Sequence, residues 1–476
     1  MRIPSTQTPS QTSDNTQRIK FKKLILLAYG LCLALLPLPP SPHAMSKSLK
    51  TTPTCKQQLS TEMCHKIGQM LIVGFGGLKQ DTEGKILWED PNNTLFKENS
   101  NIANAIKNQY IGGVILFSRP YRQSPTEKFI RDRNIQSAEQ TAKLTADLEN
   151  YSKQMRKDQS LPEIPLFISV DQEGGMVDRF PKGKDFSGPN LLPQALGANE
   201  ERALSEQSRD PESTDRLQKS LLQTRQYADQ MATRLNRLHF NLNFAPCVDV
   251  NINPLNPILG GLGRCFSANE AIVAHQAWEF VQAFHQQGIL ATLKHFPGHG
   301  SSLGDTHLGL VDVTDTYNKD KELSPYQRLI EEGYEDIIMT THVINGQIDK
   351  TQCKPGSRSD PKTWCPGTMS QTTLTKLLRE QLGFKGVIVS DDMTMGAISD
   401  EYPLDFALEK GINAGVEIFI ISNNTSDKTE FMVNTIAALI KSGKVQPSTI
   451  DKAYQHIVAV KNRINAARGD DKDSDF

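Results

Sequence analysis

Four clusters of polar residues stand directly after apolar runs, and each combines groups that hold or move a proton. The densest is Lys294-His295-Phe296-Pro297-Gly298-His299-Gly300, running on to Gly304-Asp305-Thr306-His307. Gly298, Gly300 and Gly304 give this stretch backbone freedom. Asp305 lies two residues before His307, so in an extended segment both side chains face the same way. A carboxylate on one ring nitrogen orients an imidazole and stabilises its protonated form. A lone histidine is usually a core or surface residue. A Lys-His pair with Asp-x-His in one glycine-rich stretch points instead to acid–base work.

The second cluster is Val170-Asp171-Gln172-Glu173-Gly174-Gly175, where two carboxylates leave an apolar run and meet a glycine pair. Its plainer reading is a helix N-cap. The third is Val389-Ser390-Asp391-Asp392-Met393. A carboxylate at the end of an apolar strand is costly unless it is paired or working. Asp391 is the better functional candidate, and Asp392 can simply cap the next helix. The fourth is Gly263-Arg264-Cys265-Phe266, in which Arg264 either forks onto hydroxyls or a carboxylate, or is a surface residue. His342, after a further apolar run, completes a ring of polar groups. One carboxylate nucleophile and one oriented acid/base suffice for glycoside cleavage with retention. The usual acid is a second carboxyl group; here the Asp305–His307 pair would take that role.

Such clusters need a scaffold that gathers them. Eight short runs rich in Ile, Val, Leu and Phe predict strands at Met70–Gly74, Gly113–Phe117, Leu166–Val170, Asn241–Ala245, Ile289–Leu293, Asp336–Thr340, Gly386–Ser390 and Val416–Ile421. They are mostly continuous rather than alternating, as in strands buried on both faces. Helical patterns separate them: Asn101–Asn108, Ser137–Met155, Gln218–Leu238, Asn269–Gln287, Tyr326–Gly333, Gln371–Leu382, Pro403–Ala414 and Lys428–Ser442, with a last helix over Pro447–Ala466. Eight strand–helix units in a row predict an α/β fold, a single (β/α)8 TIM barrel, whose site lies at the C-terminal ends of the strands. Residues 77–98 and 181–216 read as long polar loops. Residues 349–369 read as an insertion stapled by Cys353 and Cys365.

The charge balance is even, 53 Lys and Arg against 54 Asp and Glu, which gives no reason to expect nucleic acid or an anionic surface as partner. Residues 1–17 are polar; Arg18 to Lys23 is basic; Leu24 to Leu36 is apolar and short for a membrane span; Pro37 to Pro42 end it. Residues 1–44 therefore read as a disordered tail plus signal peptide, with cleavage after Ala44. Export to the periplasm or beyond is expected, and an uncleaved membrane anchor is the alternative. Residues 45–467 form the catalytic domain in this reading, and 468–476 a frayed charged tail. Apart from Cys32, six cysteines fall in three close pairs, Cys55/Cys64, Cys247/Cys265 and Cys353/Cys365. Local disulfides are the simplest pairing in an exported chain, with Cys247–Cys265 the riskiest because Cys247 lies near a strand end.

The motifs resemble those of the glycoside hydrolase family 3 β-N-acetylhexosaminidases. The likeness runs from about Ile67 to Val460 and is strongest in Lys294–Gly300 with Asp305-Thr306-His307. Phe244-Ala245-Pro246, Asp249-Val250-Asn251, Gly263-Arg264 with Phe266, and Ser390 to Met395 support it. The resemblance implies exo-cleavage of terminal β-N-acetylglucosamine through a covalent intermediate, with no metal and no cofactor. It implies Asp391 as nucleophile and His307, on a mobile loop, as acid/base assisted by Asp305. It implies Asp171, Arg179, Arg264, Lys294 and His295 as sugar-binding residues. The partner it implies is an N-acetylglucosamine-containing oligosaccharide; a monomer with no membrane span in its mature form is expected.

Two departures stand out. The family usually has Arg where this chain has Met176, and Gln where it has Asp178, so the aglycone side can differ. Export is the other, since many relatives are cytosolic. A rival reading is a metal-dependent barrel hydrolase with His295, His299, Asp305 and His307 as ligands, although the His-x-His expected on its first strand is absent. A second rival is a catalytically silent sugar-binding relative, which the presence of Asp391, Asp305 and His307 argues against.

Overall fold

The structure is a computed structural model that describes residues 53–75, 78–80, 86–88, 100–118, 134–180, 186, 190–207, 214–354, 361–422 and 426–469. The tail and signal segment expected over 1–44 lie outside these, as do residues 470–476 of the charged end.

Eight barrel strands occur in chain order: β1 Leu71–Gly74, β2 Gly113–Leu116, β3 Phe167–Val170, β4 Leu242–Asn243, β5 Thr292–Phe296, β6 Ile337–Thr340, β7 Val387–Asp392 and β8 Ile418–Ile421. All pair in parallel, in the order β4-β3-β2-β1-β8-β7-β6-β5. The two ends of that order meet. Asn243 N–H donates to Leu290 O (2.9 Å), Leu290 N–H to Asn241 O (3.0 Å) and Thr292 N–H to Ala245 O (2.9 Å), closing the sheet into the expected (β/α)8 barrel. Each predicted run overlaps one of these strands or, in the case of Ile289–Leu293, runs into it. Their continuous apolar character matches their burial, because helices cover the outside and side chains fill the inside. β7 differs in one respect: it is buried from Val387 to Ser390 and opens at Asp391 and Asp392.

The predicted helices form, at Asn101–Asn108, Ala138–Asp158, Thr214–Arg237, Glu270–Gln286, Ser324–Glu331, Thr372–Gln381, Leu404–Ala414, Ser426–Lys441 and Pro447–Gly469. Their starts have local causes. Ser100, Ser137 and Asn269 accept the backbone N–H of Ala103, Gln140 and Ala271, caps worth about 1 kcal/mol each.

Both long loops need correction. Within 77–98, Leu78–Gln80 pairs antiparallel with Ile86–Trp88. Within 181–216, Pro193–Gln207 is a helix, and the next begins at Thr214. Pro193 at its first turn is a start signal that the sequence carried. Its apolar period is weak because the buried face, Pro193, Leu196, Gly197, Glu200 and Ala203, carries small residues and a carboxylate where large apolar side chains would mark it. Buried Glu200 accepts from Gln276 Nε2 (2.7 Å) and bonds His275 Nδ1 (2.8 Å) on the Glu270–Gln286 helix.

Cys353–Cys365 staples the insertion, and Cys55–Cys64 ties the helix Thr61–Gln69 to the turn before it. The third expected disulfide is not formed. Cys247 and Cys265 are buried free thiols. They hydrogen-bond one another, and Cys247 Sγ donates to Asp249 Oδ2 (3.4 Å), so these sulfurs serve as polar partners in the barrel mouth. Among the described residues, no helix is long and apolar enough to cross a membrane.

Candidate active site

The polar clusters meet at the C-terminal mouth of the barrel, and buried ion pairs organise them. After β3, Asp171 Oδ1 receives Lys294 Nζ (3.0 Å) and Asp171 Oδ2 receives Arg179 Nη2 (3.4 Å). Glu173 receives Lys294 Nζ at 2.6 Å and an Arg264 fork, Nε and Nη2 each at 2.8 Å. Burial alone would raise the Asp171 and Glu173 carboxyls. The neighbouring cations outweigh it, Lys294 and Arg179 at Asp171, Arg264 and Lys294 at Glu173, and hold both below the ordinary range. Burial likewise opposes the Lys294 and Arg264 charges, and the same carboxylates reverse it. All four residues are thus ionised at neutral pH. Arg264 Nη1 also donates to Ile258 O (2.8 Å), so three of its five N–H groups are engaged and two remain for a ligand.

His295 leans on Asp249, a residue to which the sequence motifs gave no role. Its Nδ1 lies 2.6 Å from Asp249 Oδ2, and the His299 backbone N–H donates to Asp249 Oδ1 (2.8 Å). Asp249 thereby sets the orientation of His295 and leaves its Nε2 for a ligand. Burial would raise the Asp249 carboxyl, but His295 holds it down.

Asp391 and Asp392 divide cleanly. Asp392 accepts from Thr394 N (3.0 Å), Thr394 Oγ1 (2.8 Å) and Ser422 N (3.1 Å), and it also bonds the Ser422 hydroxyl. That is a capping role. Asp391 accepts the Asp392 N–H (2.8 Å) and lies in the field of His295, His342 and His307, which outweigh its burial and hold it below the ordinary Asp value. His342 is buried, with Nε2 3.1 Å from Asp392 O and Nδ1 2.8 Å from Thr368 Oγ1. A carbonyl accepts only, so Nε2 carries a proton there. Burial lowers the His342 pKa, so the ring is neutral at neutral pH and charged only at the acid pH where a carboxyl titrates.

Asp305 and His307 form the expected pair. His307 Nδ1 stands 2.7 Å from Asp305 Oδ1, which also receives the His307 N–H (2.8 Å). The Asp305 bond raises the His307 pKa; burial opposes this and the Asp391 charge adds to it. The pair sits on the outer rim, with His307 largely exposed and its carbonyl accepting from Gly396 N (3.2 Å) beyond β7.

All eight site residues expected from the sequence face one mouth. Glu173, Asp249 and His342 join them without having been assigned a role there. Glu173 already stood in the second cluster, and Asp249 could have been found by the same signal, a carboxylate just past an apolar strand. The metal-ligand set of the rival reading does not assemble. Among the described residues one triplet of potential ligand atoms lies within 4.8 Å, Cys247, Asp249 and His295, and it shares only His295 with that set.

The profile of the glycosyl hydrolase family 3 N-terminal domain matches residues 63–460. β-Hexosaminidase A of Pseudoalteromonas piscicida is 31% identical over 362 residues, 74% of this chain and 54% of that protein. The β-hexosaminidase of Nitrosomonas eutropha is 30% identical over 327 residues, 68% of this chain and 77% of that one. The chain thus spans about half the length of the Pseudoalteromonas protein, 54%, and most of the Nitrosomonas one, 77%. A family 3 β-N-acetylglucosaminidase structure from a Paenibacillus species aligns with TM-score 0.64 and 27% identity, covering 85% of this chain and 62% of that one. A β-N-acetylhexosaminidase from Beutenbergia cavernae shares the fold, with TM-score 0.64 and 21% identity over 84% of this chain and 98% of that one. The profile takes in the barrel from the helix before β1 to the last helix and every polar cluster at its mouth: the chain belongs to glycosyl hydrolase family 3.

Proposed function

We propose that this protein removes terminal non-reducing β-N-acetylglucosamine from glycans such as peptidoglycan or chitin-type fragments, with retention of configuration. The observation that carries the reading is the meeting of one ionised carboxylate, Asp391, with one carboxylate-oriented imidazole, His307, at a single mouth. The names of the relatives agree with it.

Asp391 attacks the anomeric carbon as the glycosidic C–O bond breaks, forming a glycosyl ester. With Nδ1 held by Asp305, His307 turns Nε2–H to the leaving oxygen and supplies its proton. In the second half, Nε2 takes a proton from water. The water oxygen bonds the anomeric carbon, and the ester bond to Asp391 breaks. Asp171, Arg179, Arg264, Lys294 and His295 bind the sugar hydroxyls and amide. Their ion pairs are made in advance, so little reorganisation is needed when substrate arrives. The chain acts after export, on N-acetylglucosamine-containing oligosaccharides outside the cytoplasm. The two disulfides support an oxidising compartment.

Release of a chromophore from an aryl β-N-acetylglucosaminide, with the first-formed sugar analysed by NMR, tests the reaction. β-N-acetylglucosamine as first product is expected. Inversion, or loss of activity to a chelator, would overturn the reading.

A further inference from the structure

Opposite Asp249, a second buried carboxylate grips the loop that leads to His307. Glu322 is 1% exposed and lies in the short helix Lys319–Glu322. Its Oε2 accepts the Gly300 N–H (3.0 Å), and its Oε1 accepts the Asn318 N–H (3.5 Å). The loop lies directly on it: a Cβ added at Gly298, where φ is 132°, would fall 2.7 Å from Glu322 Cβ. Tyr317, from the same segment, donates its hydroxyl to Pro297 O (2.9 Å). On the far side, His299 N–H donates to Asp249 (2.8 Å), and Asn253 N–H donates to Gly300 O (3.0 Å). A Cβ at Gly300 would meet Val250 O at 1.7 Å. The backbone at Pro297–Gly300 is therefore clamped between two walls, and Glu322 is the carboxylate of one of them.

We propose that Glu322 is a positioning residue for the acid–base step: by holding the Gly300 N–H beneath Gly298, it fixes the root of the loop on which Asp305 and His307 stand. Beyond Gly300 the loop meets firm backbone again at Gly396 and Ala397, which donate to His307 O (3.2 Å) and Thr306 O (3.1 Å). Between those anchors Ser301, Ser302 and Thr306 are buried and Asn253 Nδ2 donates to Ser302 O (2.8 Å), while Leu303 is exposed, at 74%, and Leu308 just past them at 84%, so large apolar side chains do not place this stretch. Hydrogen bonds to its backbone, beginning with the clamp at its root, do so instead. Burial pushes the Glu322 carboxyl up to about 7, and the Asp249 charge adds to the effect. The phenols that face it, Tyr317 and Tyr326, stay neutral because burial raises both. A neutral amide should therefore replace Glu322 well, since it keeps an acceptor oxygen for Gly300 N–H.

This inference rests on His307 being the acid, and its test separates the two. kcat/KM is measured for wild type, Glu322→Ala, Glu322→Asp, Glu322→Gln and His307→Ala. The substrates are an N-acetylglucosamine disaccharide and an aryl glycoside with an acidic phenol. Small displacements of a reacting group cost up to about 10²-fold. Glu322→Ala should thus lose about 10-fold more on the disaccharide than on the aryl glycoside. Glu322→Asp, whose shorter arm withdraws from Gly300, should show the same bias, and Glu322→Gln should restore most of the loss. A purely structural role would lower Tm and both rates together. Equal losses in the Ala and Asp variants, with the bias present in His307→Ala, would overturn the role of Glu322 alone. Absence of the bias in His307→Ala would overturn the acid assignment and this inference with it.

Discussion

Asp391 and Asp392 are chain neighbours with different work, and their hydrogen bonds tell them apart. Asp392 spends its oxygens on Thr394 and Ser422, while Asp391 faces three imidazoles. Asp391→Asn should therefore abolish turnover and leave folding intact. A fluorinated substrate should label Asp391 in peptide mass spectra; label on another carboxylate would refute the assignment. The acid–base pair makes a signed prediction about pH. kcat/KM requires His307 protonated and Asp391 ionised. The raised His307 pKa puts the alkaline limb above 6.5, and the lowered Asp391 pKa puts the acid limb below 3.8. Asp305→Ala removes the largest cause of the His307 shift, so its alkaline limb should move to lower pH in a pH–rate series. An unmoved limb would mean that another group titrates. His307→Ala should cost about 10²–10⁴-fold where the leaving group needs a proton and far less on an acidic phenol.

At the scale of elements, the mouth is laced together by the Asp171–Lys294–Glu173–Arg264 chain, which ties the β3 end to β5 and to the turn after β4. Glu173, Lys294 and Arg264 are buried in this chain, so removing Glu173 leaves a buried guanidinium without its carboxylate. Glu173→Gln leaves Arg264 without its carboxylate and Lys294 with Asp171 alone, and should destabilise the protein by about 3 kcal/mol. The urea midpoint should fall at constant slope, and KM should rise. A shift under about 1 kcal/mol would show that the cations find other partners. The polar residues of this chain were visible in the sequence, but their pairing was not. Lys294 stands 121 positions after Glu173, by their numbers, and no local pattern relates them. The helix Pro193–Gln207 was missed for a related reason: its buried face sets polar Glu200 and small Gly197 and Ala203 beside Leu196, and hydrophobic periodicity registers such a face weakly.

For the whole molecule, the cysteines separate proximity along the chain from geometry in space. Peptide mapping of protein isolated from the periplasm or medium should find Cys55–Cys64 and Cys353–Cys365 bonded and Cys247 and Cys265 alkylatable after denaturation. A Cys247–Cys265 bridge would show that this pair is oxidised in the native protein. The same material should begin near Met45; an intact Met1 in a membrane fraction would favour an anchor. The sequence by itself determined the barrel, because eight buried strands must be apolar on both faces and each must be followed by a helix to cover it. It determined where the polar clusters fall relative to strand ends, and so that they share a mouth. Only the tertiary structure decided which carboxylate answers which cation, and that Glu322, in a charged run with no motif, lies buried under Gly298. Those are contacts between segments far apart in the chain, and they are settled by packing distance, which sequence spacing does not contain.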